Sequence, residues 1–279
     1  TDVAALLPEG ERPSPGETGA TLIARFVHVT DTHAVDTESP GRFTGTHDLV
    51  PAAWRPWEAY STQILDGIIR TANAMHASGR QINFLLHTGD ACDNSQTNEL
   101  SWFITIMDSG VINPLSGPDD RPVEARPDPL SDPYVTFQTQ GLYQHGVHGD
   151  FPSIPWYGTM GNHDTFAIGV FPIESSWWGA RIAPLPLSLR PGLFLPRYLD
   201  PLGEIAYGPV SPANPGPPCL FELPVFVQPN SERAYLEPGD FVRAMQASPT
   251  EPPGHGFGGG DVPYYSVSPV AGLRLLGLY

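Results

Sequence analysis

The chain has 279 residues and 40% hydrophobic content, which suits one large globular domain or a domain with big insertions. Its formal net charge is −16 and all 14 basic side chains are arginines, so its acidic surface argues against tight binding to duplex nucleic acid or an anionic membrane. No apolar run approaches the ~20 residues that a membrane span needs. The 33 prolines and 29 glycines favour long ordered loops, and with the acidic charge they fit an extracytoplasmic location. The 2 cysteines, Cys92 and Cys219, are too few for a disulfide scaffold, and whether they pair is left open.

The first predicted strand leads directly into a carboxylate and an imidazole. Residues 1–20 are expected to form a polar lead-in, and the predicted domain covers residues 21–279. Residues 22–30 predict a buried strand, because β-branched and aromatic side chains are frequent there. Asp31 and His33 follow at once, and side chains two apart on an extended segment point the same way. Together they provide donors suited to Zn, Mn or Fe.

A helix is predicted next, over residues 58–77, with Gly79 as its stop. Apolar side chains recur at spacings of three and four residues, which is typical of one face of a helix. The face that we expect to be buried consists of Tyr60, Ile64, Ile68, Ala72 and Met75.

A second strand and a second helix follow, over residues 82–87 and 98–108. The order strand, helix, strand, helix predicts a parallel sheet sandwiched by helices, with its ligand crevice at the carboxyl ends of the strands. Asp90 lies at such an end, and Gly89 before it allows a sharp turn of the backbone. A carboxylate placed in this way can bridge two metal ions ~3.5–4 Å apart. Nearby Asp93 has a simpler alternative role, as an N-cap of the second helix.

The rest of the chain contains one more predicted strand and two insertions. Residues 113–153 are predicted to be the first insertion, and residues 154–160 the third strand, which leads into Gly161-Asn162-His163-Asp164. Residues 171–260 are predicted to be a second long irregular insertion. Residues 264–267 and 273–279 predict a closing hairpin. Long loops in a compact domain are often functional.

The three polar clusters resemble, in this order and each after a predicted strand, the motifs of the calcineurin-like metallophosphoesterase superfamily. Those motifs read Asp-x-His, Gly-Asp-x-x-Asp/Asn and Gly-Asn-His-Asp/Glu, and the likeness covers roughly residues 22–165. Asp93 stands where the purple acid phosphatase branch carries a tyrosine, so the chain is similar to a bacterial subgroup outside that branch. The resemblance implies an α/β fold, usually a two-sheet β-sandwich flanked by helices.

The resemblance also implies a site for two divalent metal ions, which would be Mn, Fe or Zn. Asp31 and His33 would bind the first ion. Asp90 would bridge both ions, and Asn162 would bind the second.

Two further residues receive catalytic roles from the same resemblance. His163 would face the substrate phosphate, where it would stabilise charge or protonate the leaving oxygen. Asp164 would hold His163 by a hydrogen bond. The implied reaction is hydrolysis of a small phosphomonoester or phosphodiester by a hydroxide held between the metals.

The chain departs from the family pattern after the third motif. Relatives complete the metal site with a Gly-His and a Gly-His-x-His, whereas here only His255 follows His163. We therefore expect the C-terminal part to be missing, so that those histidines would follow Tyr279. The second metal position would then be empty or weakly occupied in this chain. The alternative is an altered metal site. Two other functions stay open, a non-catalytic binding or scaffold module and a nucleotidase-type enzyme with a further C-terminal domain. The sequence leaves the substrate and the oligomeric state undetermined.

Overall fold

A computed structural model of the chain describes residues 22–37, 39, 57–117, 133–172, 187–188, 225–226, 230–237 and 239–279. The predicted lead-in at residues 1–20, most of the predicted insertion at residues 171–260 and Cys219 lie outside the described residues.

The described strands are mostly short, and three helices accompany them. The strands are β1 (Phe26–Val29), β2 (Phe84–Thr88), β3 (Val111–Ile112), β4 (Phe137–Gln138), β5 (Trp156–Thr159), β6 (Phe166–Ala167), β7 (Phe171–Pro172), β8 (Leu187–Ser188), β9 (Val225–Phe226), β10 (Tyr265–Val270) and β11 (Leu273–Gly277). The α-helices are α1 (Ser61–Ala77), α2 (Thr97–Asp108) and α3 (Asp240–Ala247). Short 3₁₀ helices span Glu58–Tyr60, Asn162–Asp164, Ser231–Arg233 and Pro253–Gly256.

A parallel sheet forms the centre of the fold, in the order β1–β2–β5. Phe26 of β1 lies opposite Phe84 of β2, and Leu85 of β2 lies opposite Trp156 of β5. The predicted parallel α/β arrangement is therefore confirmed. The prediction that residues 22–30 are buried is wrong, since Phe26 is 49% exposed. In the described part of the chain β1 pairs with β2 alone, so it lies at the sheet edge.

Helix α1 lies where the sequence predicts it, and Ala72 is buried as predicted, but at its other turns the buried apolar face is displaced by one residue. Leu65 and Ile69 pack into the core, whereas Ile64 is 50% exposed. Apolar residues at 64 and 68 and again at 65 and 69 make two adjacent stripes, so their spacing does not say which one is buried. The predicted stop is confirmed: Gly79 has φ 88° and donates to the carbonyl of His76 (3.2 Å).

Helix α2 begins with a capping box, in which Gln96 is the N-cap and Glu99 reaches back to its backbone. The alternative role of Asp93 as the cap is therefore wrong. Phe103 of α2 packs edge-on against Trp156 of β5, with ring centroids 5.9 Å apart. This contact joins the helix to the central sheet.

The region predicted to be wholly irregular, residues 171–260, contains α3. Its buried side chains are Phe241, Val242 and Met245, an apolar pattern at helical spacing that the sequence reading overlooked. The predicted closing hairpin is confirmed, since β10 and β11 pair antiparallel. The two-sheet sandwich stays a prediction. None of the described helices is long and apolar enough to cross a bilayer.

Candidate metal centre

The three polar clusters meet at the carboxyl edge of the central sheet. The first two are joined through their backbones: Asp31 donates to the carbonyl of Gly89 (3.1 Å) and His33 donates to that of Asp90 (2.9 Å). The third cluster joins them where the backbone N–H of His163 donates to Asp90 Oδ1 (2.9 Å). This convergence follows from the parallel sheet, whose strands all end at the same edge.

The backbone at this edge adopts an uncommon conformation. Asp31, His33 and Asp90 have φ values of 53°, 43° and 56°, in the left-handed region that residues other than glycine rarely adopt. The expectation that Asp31 and His33 converge along an extended segment is therefore wrong. They converge because two left-handed residues curl the loop after β1. Such strain persists where surrounding structure imposes it, commonly at functional sites.

Asp31, His33 and Asp90 form a group of possible metal ligands whose donor atoms all lie within 4.8 Å of one another. His33 Nε2 is 3.9 Å from Asp31 Oδ1 and 3.9 Å from Asp90 Oδ2. Two ligands that each lie ~2.1 Å from one ion are at most ~4.2 Å apart, so these separations fit a shared ion. Within the described residues His33 is the basic group that pairs with either carboxylate, which leaves negative charge for a cation to balance.

Asp93 lies on the other side of the His33 ring. Its Oδ1 is 3.3 Å from His33 Nδ1, and with His163 these residues form a second group within 4.8 Å. A histidine that binds a metal through one ring nitrogen commonly directs the other to a carboxylate, which fixes the ring. Asp93 occupies the position of such a partner, but within the described residues His33 Nδ1 makes no hydrogen bond, so the structure shows proximity to the carboxylate and no more.

Asn162 and His163 are held in place by polar contacts on either side. The amide nitrogen of Asn162 donates to the carbonyl of Gly169 (2.9 Å). His163 Nδ1 lies 2.5 Å from the carbonyl oxygen of Asp93, and its ring packs edge-on against that of His33. These contacts fix both side chains, and the metal-binding role of Asn162 and the substrate-facing role of His163 stay predictions.

The predicted role of Asp164 is corrected. Its carboxylate accepts from the backbone N–H groups of Asp90 (2.9 Å), Cys92 (2.8 Å) and Gly161 (2.8 Å). Within the described residues no hydrogen bond joins it to His163. Successive side chains of a 3₁₀ helix are about 120° apart, so Asp164 turns into the interior while His163 faces outward. Burial raises the pKa of Asp164 to about 6, although these backbone hydrogen bonds oppose the shift. Asp164 thus ties the second and third clusters together.

Gly169 is a site residue that the sequence reading missed. It has φ 73°, and a Cβ atom there would collide with the ring of His163 and the amide of Asn162. With 29 glycines in the chain, no single one is conspicuous in the sequence. A glycine is needed at this position because the turn between β6 and β7 folds back over the third cluster.

Two other histidines have structural roles. His87 lies beneath the first cluster, with Nε2 3.0 Å from Thr32 Oγ1, and burial lowers its pKa to about 3, so it is neutral. His255 stacks on Trp156 at 3.5 Å, and its Nε2 is 2.6 Å from Ser248 Oγ. His255 therefore does not serve as a replacement metal ligand.

Cys92 is a free thiol beneath the site. Burial raises its pKa well above the usual range, which disfavours the thiolate that a soft metal ligand requires. Cys92 is therefore a small buried core residue.

The chain is a parallel α/β protein with carboxylate and imidazole groups, gathered at the carboxyl edge of its sheet, that could hold a metal ion. The sequence profile of the calcineurin-like phosphoesterases matches residues 24–204, well over half of the chain. The chain belongs to the calcineurin-like phosphoesterase family. Comparisons with curated proteins and with solved structures gave no significant match.

Proposed function

We propose that the protein is a metal-dependent phosphoesterase that hydrolyses a small phosphomonoester or phosphodiester. The observation that carries the proposal is the convergence of Asp31, His33 and Asp90, whose donor atoms lie within 4.8 Å of one another. Family membership supports the same chemistry, because all three motifs lie within the matched residues 24–204.

The residues of the site divide between two metal positions. Asp31, His33 and Asp90 would hold the first ion, and Asp90 and Asn162 the second; Mn, Fe or Zn suits these oxygen and imidazole donors. When bound, the ions supply Lewis acidity that activates water as a nucleophile and offsets negative charge at phosphorus. Asp90 Oδ2 faces His33 while Oδ1 accepts from the backbone of His163, so this carboxylate links the first and third motifs.

His163 would handle the proton of the leaving group. Its Nδ1 is directed at the Asp93 carbonyl oxygen, which can only accept a hydrogen bond, so Nδ1 carries a proton. Nε2 is then the atom that exchanges a proton with the substrate. A protonated Nε2 would deliver it to the leaving oxygen, and the fixed ring provides the orientation that general acid catalysis needs.

The test measures hydrolysis of para-nitrophenyl phosphate and bis(para-nitrophenyl) phosphate with added Mn²⁺, together with the metal content of the purified protein. We expect metal-dependent turnover that Asp90→Asn lowers on the order of 100-fold or more, because a charge that holds both ions is lost. Asp150→Asn, at an exposed loop position, is the matched control and should retain wild-type activity.

The metal content separates the possible failures. A protein that contains bound metal but hydrolyses neither ester would overturn the proposal. A protein that binds no metal would instead be a non-catalytic module on the same fold. Occupancy between one and two ions per chain would agree with the predicted weakness of the second position.

A further inference from the structure

A cleft of about 200 Å³ opens beside the candidate metal centre. It lies between the carboxyl end of β1 and helix α1, and Asp31 and His33 form part of its wall. The Asp31 side chain is 61% exposed, so a substrate whose phosphate contacts the metals can extend directly into this cleft.

Several of the side chains that line the cleft are apolar. Trp57 is 58% exposed and Ile64 is 50% exposed, and both line the cleft with Ile68. The core does not require this stripe of α1, because Leu65 and Ile69 on the neighbouring stripe are buried in it. Single exposed apolar residues are ordinary, but their grouping around a concave surface next to polar ligands is typical of a small-molecule pocket.

We propose that this cleft binds the alcohol part of the substrate, and that this part is a flat apolar group, an aromatic ring above all. The proposal rests on the proposed phosphoesterase function. A cavity of ~150 Å³ holds a benzene ring, so a volume of about 200 Å³ accommodates one substituted ring. The indole of Trp57 supplies a surface on which such a ring can stack.

The experiment compares esters whose leaving groups have similar chemical reactivity. Hydrolysis of benzyl phosphate, ethyl phosphate and a hexose bisphosphate is measured with Mn²⁺ for the wild type, Trp57→Ala and Ile64→Ala. We expect the wild type to prefer benzyl phosphate and Trp57→Ala to lower kcat/KM for it about tenfold, with less than a twofold effect on ethyl phosphate. Val147→Ala removes a 75% exposed apolar side chain outside the cleft and is the control.

A binding measurement keeps this proposal separate from the proposed function. Calorimetry with benzylphosphonate and methylphosphonate, which are not hydrolysed, measures the affinity of the cleft for an aromatic group even if no ester is turned over. Tighter binding of benzylphosphonate that Trp57→Ala abolishes supports the proposal. Equal binding of the two phosphonates, an equal effect of Trp57→Ala on both, or a wild-type preference for the bisphosphate overturns it. Absence of turnover with selective binding intact contradicts the phosphoesterase function alone.

Discussion

Replacement of Asp164 distinguishes a residue that holds the site together from one that acts in catalysis. Its carboxylate accepts from two buried backbone N–H groups, at 2.9 and 2.8 Å, and from a partly buried one at 2.8 Å. Each buried donor left without a partner costs ~1–3 kcal/mol. Asp164→Asn keeps one oxygen but turns an NH₂ group towards a donor, so it should lower the free energy of unfolding by ~1–3 kcal/mol. Asp164→Ala removes both acceptor oxygens and leaves three donors without a partner, so it should cost ~3–9 kcal/mol, a large fraction of the ~5–15 kcal/mol of a typical domain.

The assay is urea unfolding followed by tryptophan fluorescence at pH 8, where the carboxyl is ionised because its pKa lies at about 6. Asp261→Asn is the matched control, since it breaks only a surface ion pair with Arg243 (2.7 Å) and should shift the midpoint little. A wild-type unfolding midpoint for Asp164→Asn, combined with a large fall in kcat, would refute the role assigned here. That result would restore the predicted contact with His163.

Three further outcomes are expected. Arg233→Met removes the guanidinium whose Nε lies 3.1 Å from the buried carboxylate of Asp36. We expect a loss of ~3–5 kcal/mol in the free energy of unfolding, measured with denaturant and largely reversed by a second change, Asp36→Asn. A loss under ~1 kcal/mol would contradict a tight buried pair. Gly169→Ala places a Cβ atom against the His163 ring. We expect kcat/KM to fall at least about tenfold, while the circular dichroism spectrum shows that the fold is retained. Unchanged kinetics would show that the ring adjusts freely. Burial lowers the pKa of His255 from 6.5 to about 4. As the pH falls from 6.5 to 4, His255 binds a proton in the unfolded chain but stays neutral in the folded chain. The free energy of unfolding therefore decreases by up to roughly 3 kcal/mol in that range. His255→Gln should flatten this part of the curve of unfolding free energy against pH. An unaltered slope would contradict the lowered pKa of His255.

The sequence by itself was sufficient to locate the candidate metal centre. Each of its parts is local, an apolar strand that ends in polar residues, and parallel strands bring their carboxyl ends to one edge whatever the details of packing. Spacing and resemblance therefore selected Asp31, His33 and Asp90, whose donor atoms the structure brings within 4.8 Å of one another. Asn162 was selected in the same way, and its role as a ligand stays a prediction. The helices α1 and α2 were predictable for a similar reason, because their apolar periodicity lies within the segments themselves.

Only the tertiary structure decided which way individual side chains point. Asp164 follows His163 directly in sequence, but the 3₁₀ turn separates their directions, and the Asp164 carboxylate faces the backbone of another loop. In α1 two apolar stripes satisfy the same spacing, and the position of the sheet buries Leu65 and leaves Ile64 beside the site. Gly169 is required because the chain folds back onto His163. These features depend on contacts between segments far apart or on backbone dihedral angles, neither of which is encoded in the periodicity of a single segment.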